Sequence, residues 1–244
     1  MKTTALIPAR YDSKRFPGKL LKDLAGKTVI RRTYEAAVNS GLFDEVVVVT
    51  DSLEIYDEIN KHGGVALLSR KQHPTGTDRI AEFAENIPAD IIINIQGDEP
   101  FINQKALKSL IETFENDTYE IIDIASLMIK IDNQEDFLNP NNVKVVTDTD
   151  GFAMYFSRAP IPYSRDNVFE KAYKHIGVYA FRKEILEEIA LLPQTDLEQI
   201  EKLENLRFLQ NGMMIKMIET DTVNFGIDTE EDLQQAIDFI KNNF

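Results

Sequence analysis

Two runs in the chain, Val46 to Val49 and Ile91 to Ile93, are apolar at every position and lack the alternation of a half-exposed strand. A strand with two apolar faces has to be covered on both, the condition of a parallel strand between layers of helices. Segments of helical period fall between such runs. Thr3 to Pro8 leads to Thr28 to Ser40, then Glu45 to Thr50, Ser52 to His62 and Val65 to Leu68. In the first helix Ile30, Tyr34, Ala37 and Val38 share one face, and Gly41 stands where a left-handed residue ends it. A helix from about Thr77 to Asn86, a strand Asp90 to Ile95 and a helix from Asn103 to about Glu115 continue the rhythm. The expectation is an α/β fold with a mostly parallel central sheet and helices on both faces.

Beyond residue 115 the rhythm changes. Ile121 to Ile131, Val143 to Thr147, Phe152 to Phe156 and Tyr173 to Phe181 read as strands with few helices between them, an antiparallel portion inserted at about 121–181 in a single domain of 1–244. Ala159-Pro160-Ile161-Pro162 and the polar loop Ser164 to Asn167 interrupt it and suit an exposed loop. One helix is expected over Asp196 to Asn211, stopped by Gly212, followed by a strand at Met213 to Glu219. Thr229 with Asp232 resembles a capping box that opens a last helix reaching about Ile240.

Charge narrows the partners. The 27 Lys and Arg against 41 Asp and Glu give a net charge of −14, which repels a polyphosphate backbone and argues against nucleic acid. No cysteine is present, so a thiolate metal site and a thiol nucleophile are excluded. The N-terminus enters its first strand without a signal-like segment, and the apolar runs fall short of the ~18–20 residues of a membrane span. A cytoplasmic protein without membrane insertion is expected.

In an open parallel sheet, ligands bind beyond the carboxyl ends of the strands, so the residues after each strand carry the chemistry. The first exit carries Arg10, Ser13, Lys14, Arg15, Gly18, Lys19 and Lys22, the most basic stretch of an acidic chain and suited to gripping a triphosphate. A solvated basic loop is the competing reading. The stretch is neither a Walker A nor a G-x-G-x-x-G loop. At the second exit, Ile95-Gln96-Gly97-Asp98-Glu99-Pro100, Asp98 is a candidate ligand for a hard cation bridging carboxylate and phosphate, or else a turn residue before Pro100. At the third, Phe225-Gly226-Ile227-Asp228-Thr229, Asp228 is a second carboxylate or a simple helix cap.

The loop Ile7 to Leu20 resembles the I-P-A-R-x-x-S-x-R-x-P-G-K signature of the sugar-acid cytidylyltransferases, in particular the branch acting on 3-deoxy-manno-octulosonate (KDO). Further blocks agree in order: Thr75 to Arg79, Gln96 to Pro100, Asn139 to Val146, Tyr155 to Arg158 with Ile161-Pro162, His175 to Tyr179, Glu201 to Arg207, and Gly226 to Thr229. The resemblance implies a nucleotidyltransferase fold of the glycosyltransferase-A-like kind and a homodimer built around the inserted portion. It also implies a Mg²⁺-dependent reaction in which CTP and KDO give CMP-KDO and pyrophosphate for lipopolysaccharide synthesis.

By the same resemblance, Arg10, Ser13, Arg15 and Lys19 hold the CTP phosphates, while Thr75-Gly76-Thr77 faces the cytosine. Asp98 and Asp228 bind magnesium. Gln96, Arg165, Tyr179, Glu204 and Asn205 hold the sugar acid, with His175 nearby in a binding role. Glu201, Glu204, Asn205 and Phe208 recur at helical spacing, so on a continuous helix they share a face; without the resemblance that face reads as solvated. His175 likewise reads by itself as a structural histidine. A different sugar acid, such as 8-amino-KDO or a sialic-acid-like sugar, is the nearest alternative. A nucleotide-sugar-binding protein without transfer, or a metal-dependent nucleotide hydrolase, is the alternative from another class.

Overall fold

The computed structural model describes the chain apart from residues 14, 70, 167–170, 222–225 and 244, and divides into two compact units. Residues 1–107 and 224–244 form the first unit, and 108–223 the second.

The first unit contains β1 (Thr3–Ala9), α1 (Val29–Asn39), β2 (Glu45–Thr50), α2 (Leu53–Lys61), β3 (Ala66–Leu68), α3 (Gly76–Ala84) and β4 (Ile91–Asn94), with α9 (Glu230–Asn243) at its end. Its strands lie in the order β3-β2-β1-β4, all parallel, with Ala5 opposite both Val46 and Ile93. Every residue of β1 and of β4 is buried, so both faces of these strands are covered, as the unbroken apolar run of Ile91 to Ile93 requires for β4. The helices start where short polar side chains supply caps: Thr28 accepts from the Arg31 amide, Ser52 from Ile55 and Thr75 from Asp78. The Thr229–Asp232 capping box also forms, with the Thr229 amide donating to Asp232 Oδ2 at 2.9 Å and the Asp232 amide to Thr229 Oγ1 at 3.2 Å.

α4 (Gln104–Glu115) runs across the boundary between the units. The second unit holds β5 (Ile124–Ile131), α5 (Gln134–Leu138), β6 (Lys144–Thr147), β7 (Ala153–Ser157), β8 (Ala172–Arg182), α6 (Lys183–Ile189), α7 (Asp196–Glu201), α8 (Asn205–Gln210) and β9 (Ile215–Glu219). β8 runs antiparallel to β5 and β6, β6 antiparallel to β7, and β9 parallel to β5. α5 and α6 carry too few residues for periodicity to have assigned them. A bulge between Ser126 and Leu127 turns the Ser126 hydroxyl onto the Ile176 and Val178 carbonyls.

One expectation fails here. The helix read over Asp196 to Asn211 is two helices, α7 and α8, parted at Lys202, whose φ of 55° is left-handed. In a continuous helix the Glu201 and Lys202 carbonyls would accept from the amides of Asn205 and Leu206. Instead Arg158 takes both, through Nε at 2.8 Å and Nη2 at 3.5 Å, and the Leu206 amide donates to Leu203. The period of the sequence is helical throughout; the break is met by a tertiary contact from Arg158, the residue after β7.

Candidate active site

The first strand exit leaves β1, and Gly18, at φ 65°, turns it into a single 3₁₀ turn, Lys19–Leu21. The second follows β4, where a Cβ on Gly97 would come within 3.1 Å of both the Pro8 carbonyl and Ile30, so a larger residue would press this loop away from the end of β1. The third precedes α9 and is tied to the second by the Ile227 amide, which donates to the Asp98 carbonyl at 2.9 Å.

These loops bring Lys19, Asp98 and Asp228 together. The Lys19 ammonium donates to Asp98 Oδ2 and, at 2.9 Å, to Asp228 Oδ1; Arg15 donates to Asp228 Oδ2 at 2.9 Å. The Lys19 side chain is only 12% exposed, against 70% for that of Arg15. Burial alone would lower the Lys19 pKa, but Asp98 and then Asp228 outweigh it and hold the ammonium above its ordinary value. Burial would likewise raise Asp228, and Lys19 with Arg15 overrides it and keeps the carboxyl below its usual range. The exposed Arg15 pair adds at most about 1 kcal/mol of stability, which leaves its guanidinium free to exchange Asp228 for a ligand.

Two cations and two carboxylates cancel, so this cluster alone does not attract a triphosphate. Its donor set would suit a hard divalent ion such as Mg²⁺, which takes oxygen ligands and would be held by the carboxylates of Asp98 and Asp228. Among the described residues there is no group of three or more acidic or histidine side chains that would form an all-protein metal cage.

The other candidates of the first unit stand as follows. Arg10 is exposed and Ser13 and Gln96 are half-buried at the same strand exits, while Lys14 lies outside the described residues. Thr75 is the N-cap of α3, and its hydroxyl also donates to Asp78 Oδ2 at 2.8 Å. Gly76 opens that helix and Thr77 is buried, so the three residues form a capped helix start.

In the second unit His175 and Tyr179 belong to one aromatic cluster, and Glu204 lies near enough to act on Tyr179. The rings of Phe156 and Tyr179 lie 5.1 and 5.3 Å from that of His175, and Phe208 lies 6.2 Å from Tyr179. Burial lowers the His175 pKa to about 3, so the imidazole is neutral near pH 7. Its Nε2 is 3.0 Å from Ser126 Oγ, which also lies 2.9 Å from the Val178 carbonyl. Burial, and then the Glu204 charge, pushes the Tyr179 hydroxyl well above its ordinary pKa. Asn205 is 2% exposed and its Oδ1 has no partner among the described residues. A buried acceptor left so costs about 1–3 kcal/mol until a ligand or water supplies a donor. Arg165 is exposed on the loop preceding residues 167–170.

The helix break removes the shared face read for Glu201, Glu204, Asn205 and Phe208. Glu201 closes α7 and accepts from the Ser157 hydroxyl at 2.6 Å and the Arg158 amide at 3.0 Å, so it belongs to the scaffold. Asn205 and Phe208 are buried in α8. Sequence reasoning also missed Lys144 and Arg158, whose signal was their place inside two of the matching blocks.

Strand-end loops that set a lysine against two carboxylates beside basic side chains define a nucleotidyltransferase type of site. A family model described as Cytidylyltransferase matches residues 4–217, and the chain belongs to that family. The chain is 56% identical over 233 residues to a 3-deoxy-manno-octulosonate cytidylyltransferase of Christiangramia forsetii, covering 95% of this chain and 94% of the relative. It is 54% identical over 237 residues to the enzyme of the same name from Flavobacterium johnsoniae, covering 97% of each. Among solved structures, CMP:2-keto-3-deoxy-manno-octonic acid synthetase complexed with CTP superposes with a TM-score of 0.93 at 36% identity, over 100% of both chains.

Proposed function

We propose that the protein transfers CMP from CTP to the anomeric hydroxyl of KDO, giving CMP-KDO and pyrophosphate, in the pathway that builds lipopolysaccharide. The observation that carries the reading is the Lys19 ammonium bridging Asp98 and Asp228 at the ends of the parallel strands. Names and structure of the relatives at 36–56% identity supply the nucleotide and the sugar acid.

In this reading the hydroxyl oxygen attacks the α-phosphorus in line as the bond to pyrophosphate breaks, and the hydroxyl proton passes to solvent. Positioning and charge neutralisation carry such chemistry. Arg10, Ser13, Lys14, Arg15 and Lys19 hold the phosphates, with Arg15 exchanging Asp228 for a phosphate oxygen. Thr75-Gly76-Thr77 lies beside the cytosine. Gln96, Arg165, His175, Tyr179, Glu204 and Asn205 hold the sugar acid, Arg165 pairing with its carboxylate. His175, neutral and hydrogen-bonded to Ser126, orders the pocket and is not the base. Asp98 and Asp228 hold magnesium, which when bound supplies charge neutralisation and a more acidic hydroxyl.

The resemblance supplies a homodimer built around the inserted portion, where Leu138, Met154 and Tyr163 are exposed. No described helix is long and apolar enough to cross a membrane; the supply of CTP favours the cytoplasm.

Pyrophosphate release with CTP, Mg²⁺ and a panel of sugar acids, repeated with ATP and UTP, tests the reading. Release confined to CTP with KDO is expected. Release without any sugar identifies a hydrolase, and none with any pair identifies a binding protein.

A further inference from the structure

A lysine in a strand among valines is expected to extend its ammonium to water. Lys144 does not. It is 0% exposed, and Nζ donates to the carbonyls of Asn139 at 3.0 Å, Asn142 at 2.6 Å and Arg158 at 2.6 Å. All three ammonium protons are thereby used. Among the described residues no carboxylate pairs with it; Glu201 acts on it only across space. A buried charge is costly, and here it is held by neutral carbonyls from two segments, the turn before β6 and the end of β7.

The contacts continue from Arg158. Its amide and the Ser157 hydroxyl donate to the two oxygens of Glu201. Its guanidinium donates to the Pro140 carbonyl at 3.0 Å and to the Glu201 and Lys202 carbonyls that a continuous helix would use. Lys144 therefore fixes the residue that ends α7, and the ending of α7 sets where α8 begins with Glu204 as its cap and Asn205 as its first residue.

We infer that Lys144 is a positioning residue for the sugar acid: by locking the Asn139–Asn142 turn to Arg158 it holds open the break between α7 and α8 that presents Glu204 and Asn205. The inference rests on the reading that these two residues hold the sugar. Lys144→Met removes the three donors at similar length. It should raise the KM for KDO about tenfold, leave the Kd for CTP within about twofold, and speed hydrogen exchange of the 203–206 amides at least tenfold. Glu201→Gln, a milder change that keeps the side chain's shape, should give the same pattern at about threefold and carries the test if Lys144→Met does not fold.

Exchange at 203–206 unchanged in a folded, CTP-binding variant would overturn the inference, as would KDO and CTP binding weakened equally, the mark of a merely structural role. Exchange does not depend on the sugar. If it accelerates while the unaltered protein shows no saturation with KDO, the substrate assignment falls and the positioning link stands.

Discussion

The two units use charge in opposite ways. In the first, Lys19, Arg15, Asp98 and Asp228 stand on loops, half-buried or exposed, with opposite charges paired to one another. In the second, one set of charged groups is sealed in. Arg207 and Glu198 form a two-point pair with side chains 3% and 4% exposed, and Lys144 has no exposure. Charge at strand ends can regroup around a ligand, whereas charge buried without water cannot leave its partner. The first unit is accordingly read as the seat of reactivity and the second as a rigid holder.

The largest expected effect tests the holder. Glu198→Ala takes both carboxylate bonds from the buried Arg207 guanidinium and should cost about 3–5 kcal/mol in urea unfolding; a loss under 1 kcal/mol would dissolve the contrast. Asp98→Asn should do the reverse, lowering turnover about 100-fold or more, near 2.7 kcal/mol, while the melting temperature stays within about 2 °C. Near-normal pyrophosphate release from that variant would remove Asp98 from the metal assignment.

The next effect is set by pH. His175 titrates at about 3 in the fold against an ordinary 6.5, so its contribution to stability is complete above pH 6.5 and lost as pH falls and the unfolded chain takes the proton. Between pH 6.5 and 4.5 the unaltered protein should lose about 2–3 kcal/mol more than His175→Gln, read from urea midpoints. Equal slopes would mean that the imidazole is not sealed. Lys19 has the opposite sign. Raised above 10.5, its stabilisation is complete below that pH and is lost only as pH climbs through the elevated value. Turnover assigned to Lys19 should therefore be flat from pH 7 to 9, and a Lys19-dependent fall in that range would break the pairing with Asp98 and Asp228.

The first unit was the legible one. Unbroken apolar runs fixed its strands, short polar residues marked its helix starts, and the basic loop and the two aspartates were visible because strand exits are where ligands go. Thr75 was less legible: a threonine before a helix and a ligand hydroxyl look alike in sequence, and the hydroxyl here caps α3. In the second unit the strands were readable but the break at Lys202 was not, since no glycine or proline marks it and the residue that meets it, Arg158, lies 44 residues away. Lys144 was invisible for a similar reason. Its burial depends on three backbone carbonyls that only the folded chain brings together.

Lys202 itself carries a further consequence. A lysine held at φ 55° pays a torsional penalty of about 1–2 kcal/mol that glycine avoids, so the chain keeps in reserve a single-residue route to greater robustness. That route would also loosen the joint in the unfolded ensemble, where glycine roams more widely than lysine, and thermal hardening at this point is therefore capped by the entropy it adds back.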